Sequence, residues 1–417
     1  MKEEILCITH KYPPFIGGME NQSFELIKGL SKHYRTYVIA YEGQGNKVLW
    51  FFKLGWKVRH VLKKYPNIKL IHLNDGAMGI SMLWLQKFTR IPVVVTYHGL
   101  DITYPLSLFQ HLLVPQLSKF SGAICVSEFT RQQCLKRGFD PSTTFTVKNG
   151  VDIRMGNIPF DESIVEKLKS TYGIDVNGKN IIVSTGRPVK RKGLSWFLKN
   201  VMPLLDEDIL FLMMGPLDKQ QTIFEKITQK LSKKLFYKIH LLLGFSTDKQ
   251  EVLEQLDKQK NAYHLGKVPY DDLIQILSLA DLFVMPNQSI EGDVEGFGLV
   301  ALEASIRGTF VLASGVDGIP DAVINEKNGL LLPNGSPSMW ADKIHELLTD
   351  KQTLVNMSEC GKDFTRQNYS WNLMVDGYVE VFNQFIFDDT HAIERKTTFL
   401  NRTYFLSFRK KVFKRSC

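Results

Sequence analysis

Two glutamates, Glu295 and Glu303, have the types and spacing best suited to chemistry, with seven residues between them in the segment EGFGLVALEA. The segment follows an apolar run and a polar loop, and Gly296 and Gly298 stand where a helix is predicted to begin. Glycines let the backbone approach a ligand, and free N–H groups at a helix start suit a phosphate or a sugar hydroxyl. Taken alone, the segment is equally compatible with a capped helix whose acids face solvent.

A second chemical segment is STGRPVKRKG, which follows another predicted strand. Arg187 offers a bidentate fork to phosphate oxygens and Lys192 a point charge, so the two could stabilise a departing diphosphate. Positive charge aimed at a developing anion is often the largest contribution to catalysis. We expect the intervening Lys190 and Arg191 to be solvated loop residues. His98 ends the apolar run VVVTY, as either a ligand contact or a hydrogen-bonded structural histidine.

The sequence predicts no metal site. Its five cysteines are scattered, with no CxxC pair, and the histidines are not clustered at metal spacing. This usage indicates reduced thiols. The acidic pair Asp271 and Asp272 is predicted to open a helix, where carboxylates complement the helix dipole.

The elements that must position these residues form two series. ILCITH, TYVIAY, IKLIHL, IPVVVTYH and GAICVS are apolar runs separated by helical stretches, and NIIVSTG, ILFLMMG, NAYHLG, LADLFVMP, GTFVLAS and NGLLLP repeat the alternation. Strands alternating with helices predict parallel sheets, so we expect an α/β protein with two doubly wound Rossmann-like domains facing a cleft. The predicted bounds are 1–160 and 161–370, followed by a helix over 371–388 and a tail over 389–417.

Length and charge narrow the class further. A chain of 417 residues exceeds one ordinary core, and no apolar stretch is long enough to span a membrane or to act as a secretory signal. We therefore expect a cytoplasmic protein. The net charge is +9, but residues 391–417 hold eight basic residues and one acid, so a basic nucleic-acid surface is not expected.

Two basic aromatic segments do not fit a compact sheet protein. Residues 47–64 carry six Lys or Arg, no acid, and Trp50, Phe51, Phe52 and Trp56. Such a helix can lie at an anionic membrane surface, although an ordinary helix with a buried aromatic face is equally compatible. Residues 391–417 repeat the composition, and for them we favour the membrane.

These motifs resemble glycosyltransferase family 4, whose retaining enzymes have the two-domain GT-B fold. Besides EGFGLVALEA and STGRPVKRKG, the similar segments are PPFIGGMEN, TYHGLD, KNGVD, LGKVPYDDL, SGVDGIPDAV and NGLLLP. The resemblance implies a UDP- or GDP-sugar donor, a saccharide or glycolipid acceptor, no cofactor and no metal. It also implies that the C-terminal helix crosses back to the first domain.

The resemblance assigns roles to individual residues. It implies catalytic roles for Glu295, His98, Arg187 and Lys192. It implies donor contacts from Gly17, Gly18, Gly296, Phe297, Gly298, Glu303 and Val268, and acceptor-side positions for Asp101 and Glu20. Three departures from the family pattern are expected in or beside the donor pocket and bear on which sugar is bound: Asp317-Gly318, Thr309-Phe310 and Asn287.

The sequence therefore predicts transfer of a hexosyl unit, with retention, to a lipid-linked or membrane-associated saccharide in cell-surface polysaccharide or glycolipid biosynthesis. Residues 47–64 and 391–417 would hold the enzyme peripherally at the cytoplasmic membrane face. A nucleotide-sugar epimerase of the same fold is the alternative, but it would need neither acceptor nor membrane segment. A membrane or nucleic-acid adaptor would leave the ordered chemical residues unexplained.

Overall fold

A computed structural model describes residues 2–217, 237, 241 and 248–387. The described residues divide into two compact units. The first unit holds residues 2–96, 119–123 and 375–387, and the second holds 97–118 and the described residues from 124 to 374. The domain bounds drawn from the sequence stay predictions.

The strands of the described residues form two six-stranded sheets. Their order is β2-β1-β3-β4-β5-β6 in one sheet and β12-β11-β10-β7-β8-β9 in the other. The strands are β1 Glu4–Thr9, β2 Arg35–Ala40, β3 Ile68–Leu73, β4 Val93–Tyr97, β5 Gly122–Cys125, β6 Thr144–Thr146, β7 Asn180–Thr185, β8 Ile209–Met214, β9 Ala262–His264, β10 Leu282–Met285, β11 Phe310–Ser314 and β12 Leu330–Leu332. The neighbouring strands of the second sheet all pair in parallel, which confirms the predicted doubly wound α/β fold.

Strand β8 shows why these segments are apolar throughout. Both faces of a parallel sheet are covered, so inward-facing positions do not alternate with solvated ones. Every residue of β8 is buried. One apolar cluster takes Ile209, Phe211 and Met213, and another takes Leu210, Leu212 and Met214.

Helices connect the strands. Their bounds are Gly18–His33, Lys47–Lys64, Gly76–Ser81, Leu85–Phe88, Leu100–Thr103, Val114–Leu117, Glu128–Leu135, Ser163–Tyr172, Leu194–Asn200, Lys249–Leu256, Tyr270–Leu279, Leu299–Ile306, Ile319–Ala322, Pro337–Thr349, Lys351–Asn368 and Trp371–Phe387. The predicted helix start at Asp271 and Asp272 is confirmed, because both lie in the first turn of Tyr270–Leu279.

The C-terminal helix Trp371–Phe387 enters the first unit from Val375 onward. There the buried Tyr378 hydroxyl lies 3.0 Å from Thr96 Oγ1 and accepts a hydrogen bond from Gln22 Nε2 at 3.3 Å. The Tyr34 hydroxyl donates to Asn383 Oδ1 at 2.8 Å. The predicted return of this helix to the first sheet is therefore confirmed.

The helix Lys47–Lys64 has both a buried apolar face and exposed aromatic side chains, the two alternatives that its composition allowed. Trp50, Leu54 and Val58 are buried along one stripe. Phe52 is 83% exposed and Trp56 70% exposed. None of the helices in the described residues is long and apolar enough to cross a membrane. The tail 391–417 and its predicted membrane contact lie outside the described residues.

Candidate active site

The turn that follows β7 places two basic side chains at the carboxyl end of the second sheet. Residues Lys190–Lys192 form a 3-10 turn, and Gly193 closes it at φ 66°, in the left-handed region. A Cβ at Gly193 would lie 1.9 Å from the Pro286 carbonyl oxygen. The backbone N–H of Gln288 donates a hydrogen bond to the Arg191 carbonyl oxygen at 2.8 Å. The backbone therefore holds Arg191 and Lys192 against the segment after β10.

Both side chains contact the same carboxylate oxygen of Glu295. Its Oε2 lies 2.9 Å from Lys192 Nζ and 3.5 Å from Arg191 Nε, and it accepts a hydrogen bond from Asn287 Nδ2 at 3.4 Å. Burial alone would raise the pKa of this carboxyl, but the charges of Lys192 and Arg191 and the hydrogen bonds from Lys192 and Asn287 lower it to about 2. Glu295 is thus ionised at neutral pH.

The expectation that Arg191 is a solvated loop residue is wrong. Its side chain is only 17% exposed, and Nη1 lies 2.9 Å from Oδ1 of the fully buried Asp293. The Tyr237 hydroxyl donates to the other oxygen, Asp293 Oδ2, at 2.6 Å. The sequence reasoning missed Arg191, Asp293 and Tyr237. The available signal was an aspartate two residues before Glu295, because a buried carboxylate requires a cationic partner.

Glu303 lies in the helix Leu299–Ile306, which begins after Gly298 at φ 100°. Its side chain is partly buried. Burial raises the pKa of Glu303 to about 7, although the charge of Lys192 acts in the opposite direction. Lys192 therefore acts on both glutamates, yet one carboxyl stays ionised while the other titrates near neutral pH.

The turn after β4 lies against the same helix start. A Cβ at Gly296 would fall 1.8 Å from the His98 carbonyl oxygen, and Gly99 adopts φ 104° beside Gly296. The His98 amide donates to Asp101 Oδ1 at 2.9 Å, so Asp101 fixes this turn. The His98 backbone thus lies against Gly296, the residue that follows Glu295. The acceptor-side role of Asp101 stays a prediction.

The Asp317-Gly318 departure supports the same turn. Asp317 has φ 52°, a conformation that aspartate tolerates better than most residues, and its Oδ2 accepts a hydrogen bond from the Glu295 amide at 3.1 Å. The Gly318 amide donates to the Glu295 carbonyl at 3.0 Å. Burial, reinforced by the charges of Glu295 and Asp293, raises the pKa of Asp317 to about 6 despite that hydrogen bond.

Other predicted residues of this unit lie in different surroundings. Arg187 is exposed just beyond β7, and Val268 is partly buried in the turn after β9. The Phe297 side chain is buried in an apolar cluster, so only its backbone could reach a donor. The expected position of Thr309-Phe310 beside the donor pocket is wrong. Both are buried at the amino end of β11, away from the carboxyl ends that carry the site.

The remaining predicted residues belong to the first unit. Gly17 precedes the helix Gly18–His33, and a Cβ there would lie 2.4 Å from Glu20 Oε2. Glu20 Oε1 lies 3.2 Å from Lys11 Nζ. The sequence reasoning missed a neighbouring pair in this unit, His10 Nδ1 and Asp75 Oδ2, which lie 3.0 Å apart.

The fold and the site define a class of protein. The solved structure of Anabaena Alr3699/HepE in complex with UDP and glucose matches with a TM-score of 0.69, at 18% identity, over 92% of this chain and 100% of that one. The similarity shows the fold, which is that of the GT-B glycosyltransferases. The family model "Glycosyl transferases group 1" matches residues 172–364, and "Glycosyltransferase Family 4" matches residues 16–154. The chain is a glycosyltransferase of the family 4 type.

Relatives with assigned activities agree with this family. The chain is 26% identical to a D-inositol 3-phosphate glycosyltransferase of Corynebacterium glutamicum over 318 residues, which cover 72% of this chain and 69% of that protein. It is 36% identical to a GDP-mannose-dependent alpha-(1-6)-phosphatidylinositol monomannoside mannosyltransferase of Mycobacterium tuberculosis over 111 residues, 26% of this chain and 29% of that protein.

Because Gly193 lies so close to Pro286, we predict that position 193 tolerates no side chain. Gly193 and Gly178 share φ 66°, but a Cβ at Gly178 would meet nothing within 4 Å. Gly178→Ala should therefore cost only the left-handed strain, ~1–2 kcal/mol of unfolding free energy. Gly193→Ala should cost more and abolish turnover, because the turn carrying Lys192 must move. Urea denaturation and transfer assays check this, and equal effects of both variants would contradict it.

Proposed function

We propose that the chain transfers a hexosyl unit from a UDP- or GDP-sugar to a hydroxyl of a lipid-linked or membrane-associated saccharide, with retention and without a metal ion. The product would enter cell-surface polysaccharide or glycolipid biosynthesis. The observation that carries the proposal is the ionised Glu295, held by Lys192 beside the His98 turn at the start of the helix Leu299–Ile306.

Positive groups around this helix start suit a departing diphosphate. Lys192 contacts Glu295, which lies just before this helix, and the exposed Arg187 lies just beyond β7. Amides near Gly296 to Gly298, reinforced by the helix dipole, can bind phosphate or sugar oxygens. These groups supply charge where the leaving group becomes negative, which is the task that a metal ion performs in other sugar-nucleotide enzymes. Glu303 and the turn at Val268 would hold the ribose and the base.

The restraint on Glu295 favours a binding role over a nucleophilic one. Lys192, Arg191 and Asn287 all contact Oε2, so Oε1 takes part in none of these three contacts. We assign Oε1 and His98 to hydroxyls of the transferred sugar. The acceptor would then attack from the face that the diphosphate leaves, and the diphosphate would take the acceptor proton. This route retains the anomeric configuration.

The acceptor is proposed from the relatives and from the first unit. The relatives named above use an inositol phosphate and a phosphatidylinositol mannoside, so a phosphorylated or lipid-linked saccharide is the favoured class. The first unit contributes Gly17, Gly18 and Glu20 near Lys11, and the helix Lys47–Lys64 exposes Phe52 and Trp56. Aromatic side chains flanked by basic ones suit an anionic membrane surface, where each basic residue contributes about 1 kcal/mol.

Donor turnover tests the proposal directly. Purified protein is incubated with UDP- and GDP-sugars, with and without membrane lipid extract, and products are identified by mass spectrometry. One donor should release its nucleotide only with lipid, and Glu295→Ala or Arg187→Ala should lower turnover by about 10²–10³-fold. Glu346→Ala, on the exposed surface of the helix Pro337–Thr349, is the control. Formation of an isomeric sugar nucleotide without release would indicate the epimerase.

The raised pKa of Glu303 predicts pH-dependent donor binding. The carboxylate form accepts hydrogen bonds from two ribose hydroxyls, and Glu303 is protonated below its pKa of about 7. Donor affinity should therefore fall as pH falls through 7, by up to about tenfold per pH unit, because the ionised fraction falls by that factor. Glu303→Gln should bind more weakly but lose this dependence. Titration calorimetry with the nucleoside diphosphate, from about pH 5 to 8, measures both. A slope that persists in Glu303→Gln would assign the dependence to another group.

The exposed aromatics predict membrane binding through the first unit. Phe52→Ser/Trp56→Ser should weaken partitioning onto phosphatidylserine vesicles by about tenfold or more, because two large apolar side chains no longer insert. Met339→Ser/Val355→Ser removes two apolar side chains that are 49% and 56% exposed in the second unit, and should leave partitioning unchanged. Vesicle co-sedimentation distinguishes these outcomes, and equal losses in both variants would remove the basis for this surface.

A further inference from the structure

Two nitrogens of the Arg191 guanidinium differ in their hydrogen bonding. Nη1 is bound to Asp293, whereas Nε is buried and makes no hydrogen bond within the described part of the chain. Glu295 Oε2 lies 3.5 Å from Nε, outside ordinary hydrogen-bond distance, and Lys192 occupies the same oxygen at 2.9 Å. A buried donor beside an occupied acceptor is unusual, because such groups are nearly always paired.

Lys192 has two tasks that conflict. Without a donor it neutralises Glu295, and in the proposed reaction it binds the diphosphate. When Lys192 turns to the phosphate, a buried carboxylate would lose its main cation while more negative charge approaches. Breaking a buried pair by removing one partner is strongly destabilising. Glu295 would then tend to take up a proton and lose the charge with which it holds the sugar.

We propose that Arg191 is a positioning residue that takes over the Glu295 carboxylate when Lys192 moves to the donor diphosphate. The proposal rests on the function proposed above. A movement of about 0.6 Å brings the Nε to Oε2 distance of 3.5 Å to an ordinary hydrogen-bond length. Glu295 then stays ionised and oriented throughout turnover, and Lys192 is free to act on the leaving group.

The surroundings of Arg191 suit this exchange. Asp293, which is fully buried and also receives the Tyr237 hydroxyl, anchors Nη1. The Arg191 carbonyl is fixed by the Gln288 amide at 2.8 Å. The guanidinium therefore cannot follow Lys192 to the phosphate. The rigid, planar guanidinium presents Nη1 to Asp293 while Nε faces Glu295, a fixed geometry that a Lys ammonium does not reproduce.

A cycle of variants tests the exchange without any ligand. Lys192→Met imitates the departure of Lys192. The interaction free energy between residues 191 and 295 is measured from Arg191→Gln, Glu295→Gln and the double variant, both with Lys192 and with Met at that position. Every protein also carries Asp293→Asn, which keeps the Oδ1 acceptor for Nη1 and leaves no unpaired charge at residue 293 when Arg191 is removed. The coupling, taken from shifts in the urea denaturation midpoint, should be larger in the Lys192→Met background. Equal coupling in both backgrounds would show a static structural arginine and overturn the proposal.

The pH profile of kcat provides the second test. In Arg191→Gln/Asp293→Asn, the acidic limb due to Glu295 should move upward by about 1–3 pH units, since an adjacent cation is lost. Asp293→Asn alone is the matched control and should keep the original limb. A uniform loss of kcat at every pH would indicate structural damage and contradict the exchange. Should the unmodified enzyme turn over no donor, the proposed function fails, while the ligand-free cycle still decides the role of Arg191.

Discussion

The ion pair between Lys192 and Glu295 is the interaction on which the site depends. A carboxylate as enclosed as Glu295 stays charged only with cations at close range. This requirement joins segments far apart in sequence: the turn Lys190–Lys192, the loop after β10 and the Asp317-Gly318 turn. Glycines make the approach possible, because a side chain at Gly193 would collide with the Pro286 carbonyl oxygen at 1.9 Å. The backbone and the charges thus specify the same arrangement.

Different surroundings give the two glutamates Glu295 and Glu303 different pKa values. Glu295 has cations at one oxygen and a pKa of about 2, whereas burial raises the pKa of Glu303 to about 7. Carboxyl groups whose environments move their pKa values apart can take different tasks in one site. A permanent charge suits contact with a sugar as positive charge develops during transfer. A carboxyl that titrates near neutral pH suits reversible capture of hydroxyls.

Much of the fold could be predicted from the sequence, because strands covered on both faces are apolar throughout. The strand β6, Thr144–Thr146, was missed because its sequence TFT contains a single apolar residue and forms no apolar run. Site residues at strand ends were found where a glycine or a family motif marked them. Arg191 was not predicted as a site residue, because a run of basic residues does not indicate which of them is buried. Its burial depends on Asp293, which lies about a hundred residues further along the chain.

Charge balance explains how the departures from the family pattern act. Asp293, Glu295 and Asp317 face Arg191 and Lys192, so acids exceed bases by one when all are ionised. Burial, reinforced by that excess, raises the pKa of Asp317 to about 6. The same excess disfavours an approaching diphosphate. Asn287 relieves it without adding charge, because its amide donates to Glu295. The diphosphate must then find positive charge beyond this cluster. In the proposed reaction the exposed Arg187 and the start of the helix Leu299–Ile306 would supply it, and an approaching phosphate would draw Lys192 away from Glu295.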